Sequence, residues 1–475
     1  MFKMLPYFGR NLPSVFPEGA ITAPWRTGEL GRGGFVQTSV IYRLAVMAGV
    51  FVALLVPITM IYTLVFERTS RRDEAARVIS DEWGHPQSFS GPVLIVPFRY
   101  FVERPNLPRE TFEDRATFLP EELQIDATLT PELRARGLFE VPVYRAALRL
   151  SGRFAAPSLS RVFTGTPEIR WNEAQVGVAI SDPRGIAGPV HFTWNGAAVP
   201  VRGGLLDHTL GSSGISAPVP VQPDANAPFV FIMTLEMNGT RSIEFLPVAD
   251  DTAIIMRSSW PHPGFQGAPL PYTRAVTSDG FTAEWRVPQF GHGFPSVWRA
   301  NAVKRETLAE AFEAAGVGVT LVQPVDVYQQ TSRAMKYAVL FIVMTFVVAF
   351  LWEIIGGVLI HPIQYLFVGF ALCVFYLLLL ALSEHVGFDT AYLWSALPTI
   401  VLITWYWQWV IKARGRALLM LAALATLYGF LYLLLRAEEA ALLAGAFGLF
   451  VMLALVMFLT RRVDWFNLRL GDKEV

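Results

Sequence analysis

The chain has 475 residues, 53% of them hydrophobic and only 16% charged, with 39 basic and 39 acidic side chains that cancel. A soluble globular protein carries about 25% charged residues, so a wholly water-soluble fold is excluded, and no basic tract suited to nucleic acid is present. The single cysteine, Cys373, lies in an apolar run, which leaves everything before it without disulfides, thiol nucleophiles or cysteine-based zinc sites.

Residues 1–39 hold Pro, Gly and small polar residues and read as a flexible cytoplasmic tail. Within residues 40–66, Leu44–Phe66 exceeds the ~20 apolar residues that span a bilayer. It is longer than a signal-peptide core of roughly 7–15 residues and no small-residue cleavage site follows, so it reads as a retained anchor. The charged stretch Glu67–Trp83 keeps apolar residues at helical spacing (Ala75, Val78, Ile79), which predicts that the helix continues outward until Gly84-His85-Pro86 stops it.

Residues 67–336 read as a large, mainly-β extracytoplasmic domain. Strands are predicted at Pro92–Tyr100, Phe139–Phe154, Phe229–Met237, Ser242–Val248, Thr252–Ser258 and Gly280–Val287. Asn238-Gly239 predicts a hairpin between the third and fourth of these. Frequent Pro and Gly favour a β-sandwich or related antiparallel sheet, with one soluble helix near Lys304–Ala315. Tyr144–Phe154 and Phe231–Phe245 share a strand, Gly turn, strand pattern, a weak internal likeness.

Residues 337–460 contain five further runs, Tyr337–Gly356, Ile363–Leu382, Ala391–Ile411, Ala417–Leu435 and Ala440–Leu459. The expected fold is therefore a membrane protein with six α-helical transmembrane spans in a 1+5 arrangement around a β-sandwich-like domain. Residues 461–475 form a second cytoplasmic tail. Placing both termini in the cytoplasm puts Lys3, Arg10, Arg26, Arg32, Arg43, Lys412, Arg414, Arg416, Arg461, Arg462, Arg469 and Lys473 inside. Only Arg436 then falls in a short outer loop, as the positive-inside rule requires, and the β-domain becomes periplasmic.

No His-Glu-x-x-His, Walker loop or Gly-x-Ser-x-Gly elbow occurs, and Gly211-Ser-Ser-Gly214 reads as a polar loop. His85, His191, His208, His262 and His292 are scattered without ligand spacing, and Asp207-His208 could ligate a metal only if distant residues converged. No catalytic residue, metal site or cofactor is assigned, and a non-enzymatic protein is expected. The candidate functional residues are polar groups at the ends of two adjacent spans: Glu353, His361, Gln364, Glu384 and His385, with Asp389 nearby. Ionisable groups at membrane depth usually face protein or water and carry function; the competing reading is interfacial side chains and helix caps.

Several long stretches match a known family. They are Trp83-Gly84, Ser90-Gly-Pro-Val-Leu-Ile-Val-Pro97, Arg136-Gly-Leu-Phe-Glu-Val-Pro-Val-Tyr144, Ser181-Asp-Pro-Arg-Gly-Ile186, Leu246-Pro-Val248, Ser259-Trp-Pro-His-Pro-Gly-Phe265, Leu321-Val-Gln-Pro-Val-Asp-Val-Tyr-Gln329, His361-Pro-Ile-Gln-Tyr365 and Tyr376-Leu-Leu-Leu-Leu-Ala-Leu-Ser-Glu-His385. On these the chain resembles the CreD family of Gram-negative inner-membrane proteins, with Met1–Ser39 as an extension. The resemblance implies an inner-membrane location, a link to a two-component envelope response, colicin tolerance and altered β-lactam response, and no catalytic residues. The expected partners are membrane lipids and envelope proteins. The alternatives are a transporter or lipid-handling protein built on the bundle, or a membrane-bound hydrolase.

Overall fold

The computed structural model describes residues 40–102, 110–161, 163, 165–207, 209–222, 227–291, 293–302, 310–312, 314–323, 327–356, 360–411, 414–437 and 440–463. Both tails fall largely or wholly outside this range. The first helix, α1, runs from Val40 to Trp83, 44 residues, or about 66 Å at ~1.5 Å per residue. That is twice the ~30 Å hydrocarbon core, so the helix leaves the bilayer and carries on to the β-domain. Its one proline, Pro57, lies in the spanning half; no Gly or Pro interrupts the extension before Gly84.

The β-domain consists of two facing sheets. In chain order its strands are β1 (Gln87–Val102), β2 (Glu110–Phe118), β3 (Glu122–Arg136), β4 (Phe139–Phe154), β5 (Glu168–Ile169), β6 (Gln175–Ile180), β7 (His191–Trp194), β8 (Ala197–Val199) and β9 (Arg202–Gly203). They continue with β10 (Gly214–Pro218), β11 (Phe229–Thr240), β12 (Ser242–Leu246), β13 (Asp251–Ser258), β14 (Pro263–Gln266), β15 (Thr273–Thr277), β16 (Gly280–Pro288), β17 (Val297–Arg299) and β18 (Val317–Leu321). One sheet has the order β14-β18-β12-β1-β6-β10-β9, with β2, β17 and β5 attached through β1; the other is β15-β16-β13-β3-β4-β11-β7-β8. Alternate residues of β3 (Leu123, Ile125, Ala127, Leu129) and β4 (Ala146, Leu148, Leu150) join Val93–Val96 of β1 in one apolar core. This is the period-two burial of a sandwich.

Three expectations are corrected. The sheets are mixed, since β1 lies parallel to β12 and β3 parallel to β13. Asn238-Gly239 does not turn a hairpin: β11 runs straight through it, with Gly239 opposite Tyr144, and ends at Thr240. The chain then changes sheets at Arg241, whose φ is 62°. Nor is Tyr144–Phe154 a strand, turn, strand unit, because Gly152 lies inside β4, opposite Leu123 and Phe231. The expected helix near 304–315 is helical at 310–312 and 314–315, while 303–309 and 313 lie outside the described residues.

Five helices complete the chain: α2 (Val327–Gly356), α3 (Pro362–Val386), α4 (Phe388–Ile411), α5 (Arg414–Arg436) and α6 (Ala441–Thr460). With α1 these are the six expected spans. Five of the six are long and apolar enough to cross a membrane. The other, α4, is enriched in Trp and Tyr (Trp394, Trp405, Tyr406, Trp407, Trp409) and packs on both α3 and α5. The bundle core unites Leu54, Ile58, Ile61 and Val65 of α1 with α2, α3, α4 and α5, whereas α6 has no buried residue. A helix apolar all round, with one side on α5 and no fully buried residue, suits a lipid-facing position.

Candidate functional site

The polar residues singled out from sequence resolve into two three-helix ties. Glu353, near the end of α2, is buried. It forms an ion pair with Arg43 of α1, 310 positions away, and accepts a hydrogen bond from the Tyr365 hydroxyl of α3 at 2.8 Å. At the opposite end of the same helices, Glu384 of α3 lies 3.7 Å from Arg68 Nε of α1. It accepts from the Tyr328 hydroxyl of α2 at 3.1 Å. Each tie thus takes arginine from α1 and divides glutamate and tyrosine between α2 and α3, with the two helices exchanging roles from one end to the other.

Along α1 and α2 the ties are separated by about 37 Å of helix, and along α3 by about 28 Å. Those lengths bracket the ~30 Å hydrocarbon core, so each tie sits at a headgroup level. A buried carboxylate needs a cation and further hydrogen bonds to remain charged, and both glutamates have them. A third link, from α4 to α5, joins Asp389 to Arg436 and to the Tyr432 hydroxyl at 3.1 Å.

The remaining candidates have different roles. His361 and Gln364 form a capping box at the start of α3: His361 Nδ1 accepts from the Ile363 N–H at 3.3 Å, and Gln364 Oε1 accepts from the His361 N–H at 3.0 Å. That satisfies otherwise orphaned helix donors. His385 is exposed in the last turn of α3.

A second constellation, not found from sequence, fixes α1 to the β-domain. Gly84 ends the helix with φ +134°, and a Cβ there would fall 2.7 Å from Asn238 O. The Trp83 indole donates to Tyr144 O at 3.2 Å while the Arg134 guanidinium lies over its ring, 3.6 Å from the centroid. Ser80 and Thr240 hydroxyls pair at 2.9 Å, and Gln87 Nε2 bonds both Asp182 O and Asn238 O. Asp182 accepts from the His85 N–H and from Arg184. Burial pushes its carboxyl up, but the Arg184 guanidinium and the His85 and Arg184 N–H groups outweigh that and hold it below its ordinary value. The Tyr144 hydroxyl donates to Ser242 O at 2.7 Å, and burial raises its pKa far above the usual phenol range, so it remains a neutral donor.

A third contact seats the domain on the bundle. Phe139, at the membrane-proximal end of β4, packs on Tyr328 with ring centroids 6.0 Å apart. Gln323, just ahead of α2, donates to Glu140 O at 3.3 Å. The Trp260 indole donates to Val322 O at 3.0 Å. Most stretches that carried the family resemblance meet in these ties and junctions.

The described histidines are not gathered into a metal-binding group. His85 pairs with Asp81 at 3.1 Å, His191 is exposed, and His208 and His292 lie outside the described residues. Asp207 is engaged by the Thr117 hydroxyl and the Thr209 N–H, and Ser213 donates to Ile180 O. Among the described residues no group of three or more His, Cys, Asp or Glu could hold a metal ion.

Comparison with known proteins shows a family relationship. A family model described as "Inner membrane protein CreD" matches residues 39–466. The Inner membrane protein CreD of Escherichia coli (strain K12) is 32% identical over 451 residues, covering 93% of this chain and 98% of that protein. Among solved structures, an M1 zinc metallopeptidase from Deinococcus radiodurans aligns over 43% of this chain and 42% of its own, with a TM-score of 0.20 and 9% identity. That likeness is too slight to bear on the fold or the function.

Proposed function

Because this chain belongs to the CreD family of inner-membrane proteins, we propose that it supports cell-envelope integrity by presenting a periplasmic binding domain at a fixed height and angle over the inner membrane. The observation that carries this reading is the rigid connection. One helix runs without a break from bundle to domain, tied at both headgroup levels and again at the Trp83–Gly84 junction. A domain held this way suits the recognition of envelope proteins or envelope polymers, and movement imposed on it would pass to α2 and α3 through the ties. The distribution of Lys and Arg supports cytoplasmic termini and a periplasmic domain.

A proton or polar-substrate path through the bundle draws less support. Glu353 and Glu384 each already face an arginine and a tyrosine from neighbouring helices, which favours holding helices together over relaying charge.

The test is photo-crosslinking in living cells from domain positions that face solvent. Tyr272, 73% exposed, and Phe290, 97% exposed, flank the outer strands of the second sheet. We expect adducts with envelope components from at least one face of the domain. Full-level protein that yields no adduct from any face would contradict the proposal.

A further inference from the structure

We propose that the open edge of β15 is a docking strand for an extended segment of an envelope protein, one that carries apolar side chains at alternate positions and an acidic group. The inference rests on the binding-domain reading above and deepens it, since it names the surface and the kind of partner. β15 ends the second sheet and is paired with β16 alone among the described strands. All five of its residues, Thr273–Thr277, are exposed, so no described part of the chain covers it. The hairpin with β16 fixes which backbone groups are already used. Its turn is Ser278-Asp279, closed by Thr277 opposite Gly280. In a two-residue hairpin the closing pair exchanges both backbone hydrogen bonds, and every second pair along the ladder does the same. Thr277, Ala275 and Thr273 therefore bond to β16, and the N–H and C=O groups of Arg274 and Val276 point to the open edge. Such an edge is a template for another strand, and proteins that avoid pairing blunt it with proline or cover it. β15 contains no proline.

The side chains of the same two residues give the edge its selectivity. Arg274 and Val276 stand opposite the buried Ala283 and Phe281, so they face the first sheet. There, with His262, Pro263, Phe265 and Val322, they line a cleft of about 390 Å³. Its far wall is held in place: the Val322 N–H donates to His262 O at 3.1 Å and the Trp260 indole donates to Val322 O. This wall is the Ser259–Phe265 stretch that carried part of the family resemblance. A strand added to β15 would direct every second side chain into the cleft. Val276 and Val322 supply exposed apolar surface there. Among the described residues no carboxylate pairs with Arg274 or His262, so an acidic side chain on the incoming strand is the complement. Main-chain hydrogen bonds would give affinity and the cleft would choose the sequence, as strand addition does elsewhere. A lipid or a helix in the cleft would leave the outward backbone groups unused, which singles out an extended peptide as the occupant.

The full chain in lipid nanodiscs would be screened against a phage-displayed library of random peptides, and the enriched peptides would be synthesised with a fluorophore and titrated. We expect sequences with apolar residues at alternate positions and an Asp or Glu among them. Val276→Pro removes an outward N–H but none of the bonds to β16. It should weaken binding about tenfold or more while thermal unfolding stays near that of the parent. Arg274→Glu leaves the backbone intact and carries the test should the proline variant unfold. It should weaken the acidic peptides several-fold and favour versions with Lys in place of the acid. The inference is overturned if no peptide is enriched, or if the enriched peptides bind both variants as they bind the parent. It is also overturned if the edge is taken by a second copy, seen as a dimer of the purified protein that Val276→Pro dissolves. Crosslinks to envelope components from other faces, with no peptide binding at β15, would leave the binding-domain reading standing and remove this one.

Discussion

Replacing Glu353 with Ala is expected to destabilise the protein by about 3–5 kcal/mol, the usual consequence of leaving one member of a buried ion pair without its partner. Arg43 would lose its contact with the Glu353 carboxylate, and the Tyr365 hydroxyl would lose its acceptor. The variant should show a large fall in thermal stability in detergent and a reduced level in membranes. Replacing Arg43 and Glu353 together with Leu should recover most of the loss, because an apolar pair of similar volume carries no uncompensated charge. Glu384→Ala should cost less, since Arg68 is 35% exposed and stands 3.7 Å away. Equal instability in the single and the double variant would show that the ion pair is not what Glu353 contributes.

Gly239→Ala carries the second large effect. A Cβ at this position would fall 2.5 Å from Tyr144 Cζ. The tyrosine ring cannot swing aside, because it is fully buried and its hydroxyl is held by Ser242 O at 2.7 Å. Overpacking a rigid core typically costs 1–3 kcal/mol, occasionally more, and here the strain falls on the strand that meets the end of α1. Thermal unfolding of the purified variant should show a clear loss of stability. Shortening the neighbour as well, with Tyr144→Leu added, should relieve part of it. A Gly239→Ala protein as stable as the parent would mean the ring packs elsewhere.

That glycine also shows where sequence reading stops. Asn-Gly is a turn signal because both residues tolerate positive φ. In this chain the glycine serves another need, the close approach of an aromatic ring on the opposing strand, and the actual corner falls at Arg241. The spans, the extension of α1 beyond the membrane and six of the strands were legible, because each depends on a local property, either an apolar run or a period of two or 3.6. The ties were half legible. Glu353 and Glu384 stood out as charges near lipid, but Arg43 counted only as a cytoplasmic cation and Tyr365 only as the end of a family-like stretch. Nothing in a single sequence pairs residues 310 positions apart. The role of His361 was readable in retrospect: a polar residue, a proline at the first helical position and Gln364 three residues on form a helix-start signature.

Most of the stretches that carried the family resemblance lie at joints of the molecule rather than in an active site. Trp83-Gly84, Val141–Tyr144 and Ser181–Ile186 build the joint between α1 and the domain. Val322, Gln323, Tyr328, His361, Gln364, Tyr365 and Glu384 build the joints within the bundle and between bundle and domain. The proposal that the molecule acts by holding its domain in place follows from that distribution.

The most direct test of this account is complementation of a strain lacking the gene by a variant whose inner tie is wholly apolar, Arg43→Leu with Glu353→Leu and Tyr365→Phe. Resistance to detergent and to a β-lactam would be scored, with the amount of protein in the membrane measured in the same cells. The account predicts wild-type resistance at a near-normal membrane level, because the tie holds helices together and packed apolar side chains can do the same. A variant present at a normal level that fails to restore resistance would contradict it and assign chemistry to the Glu353 carboxylate.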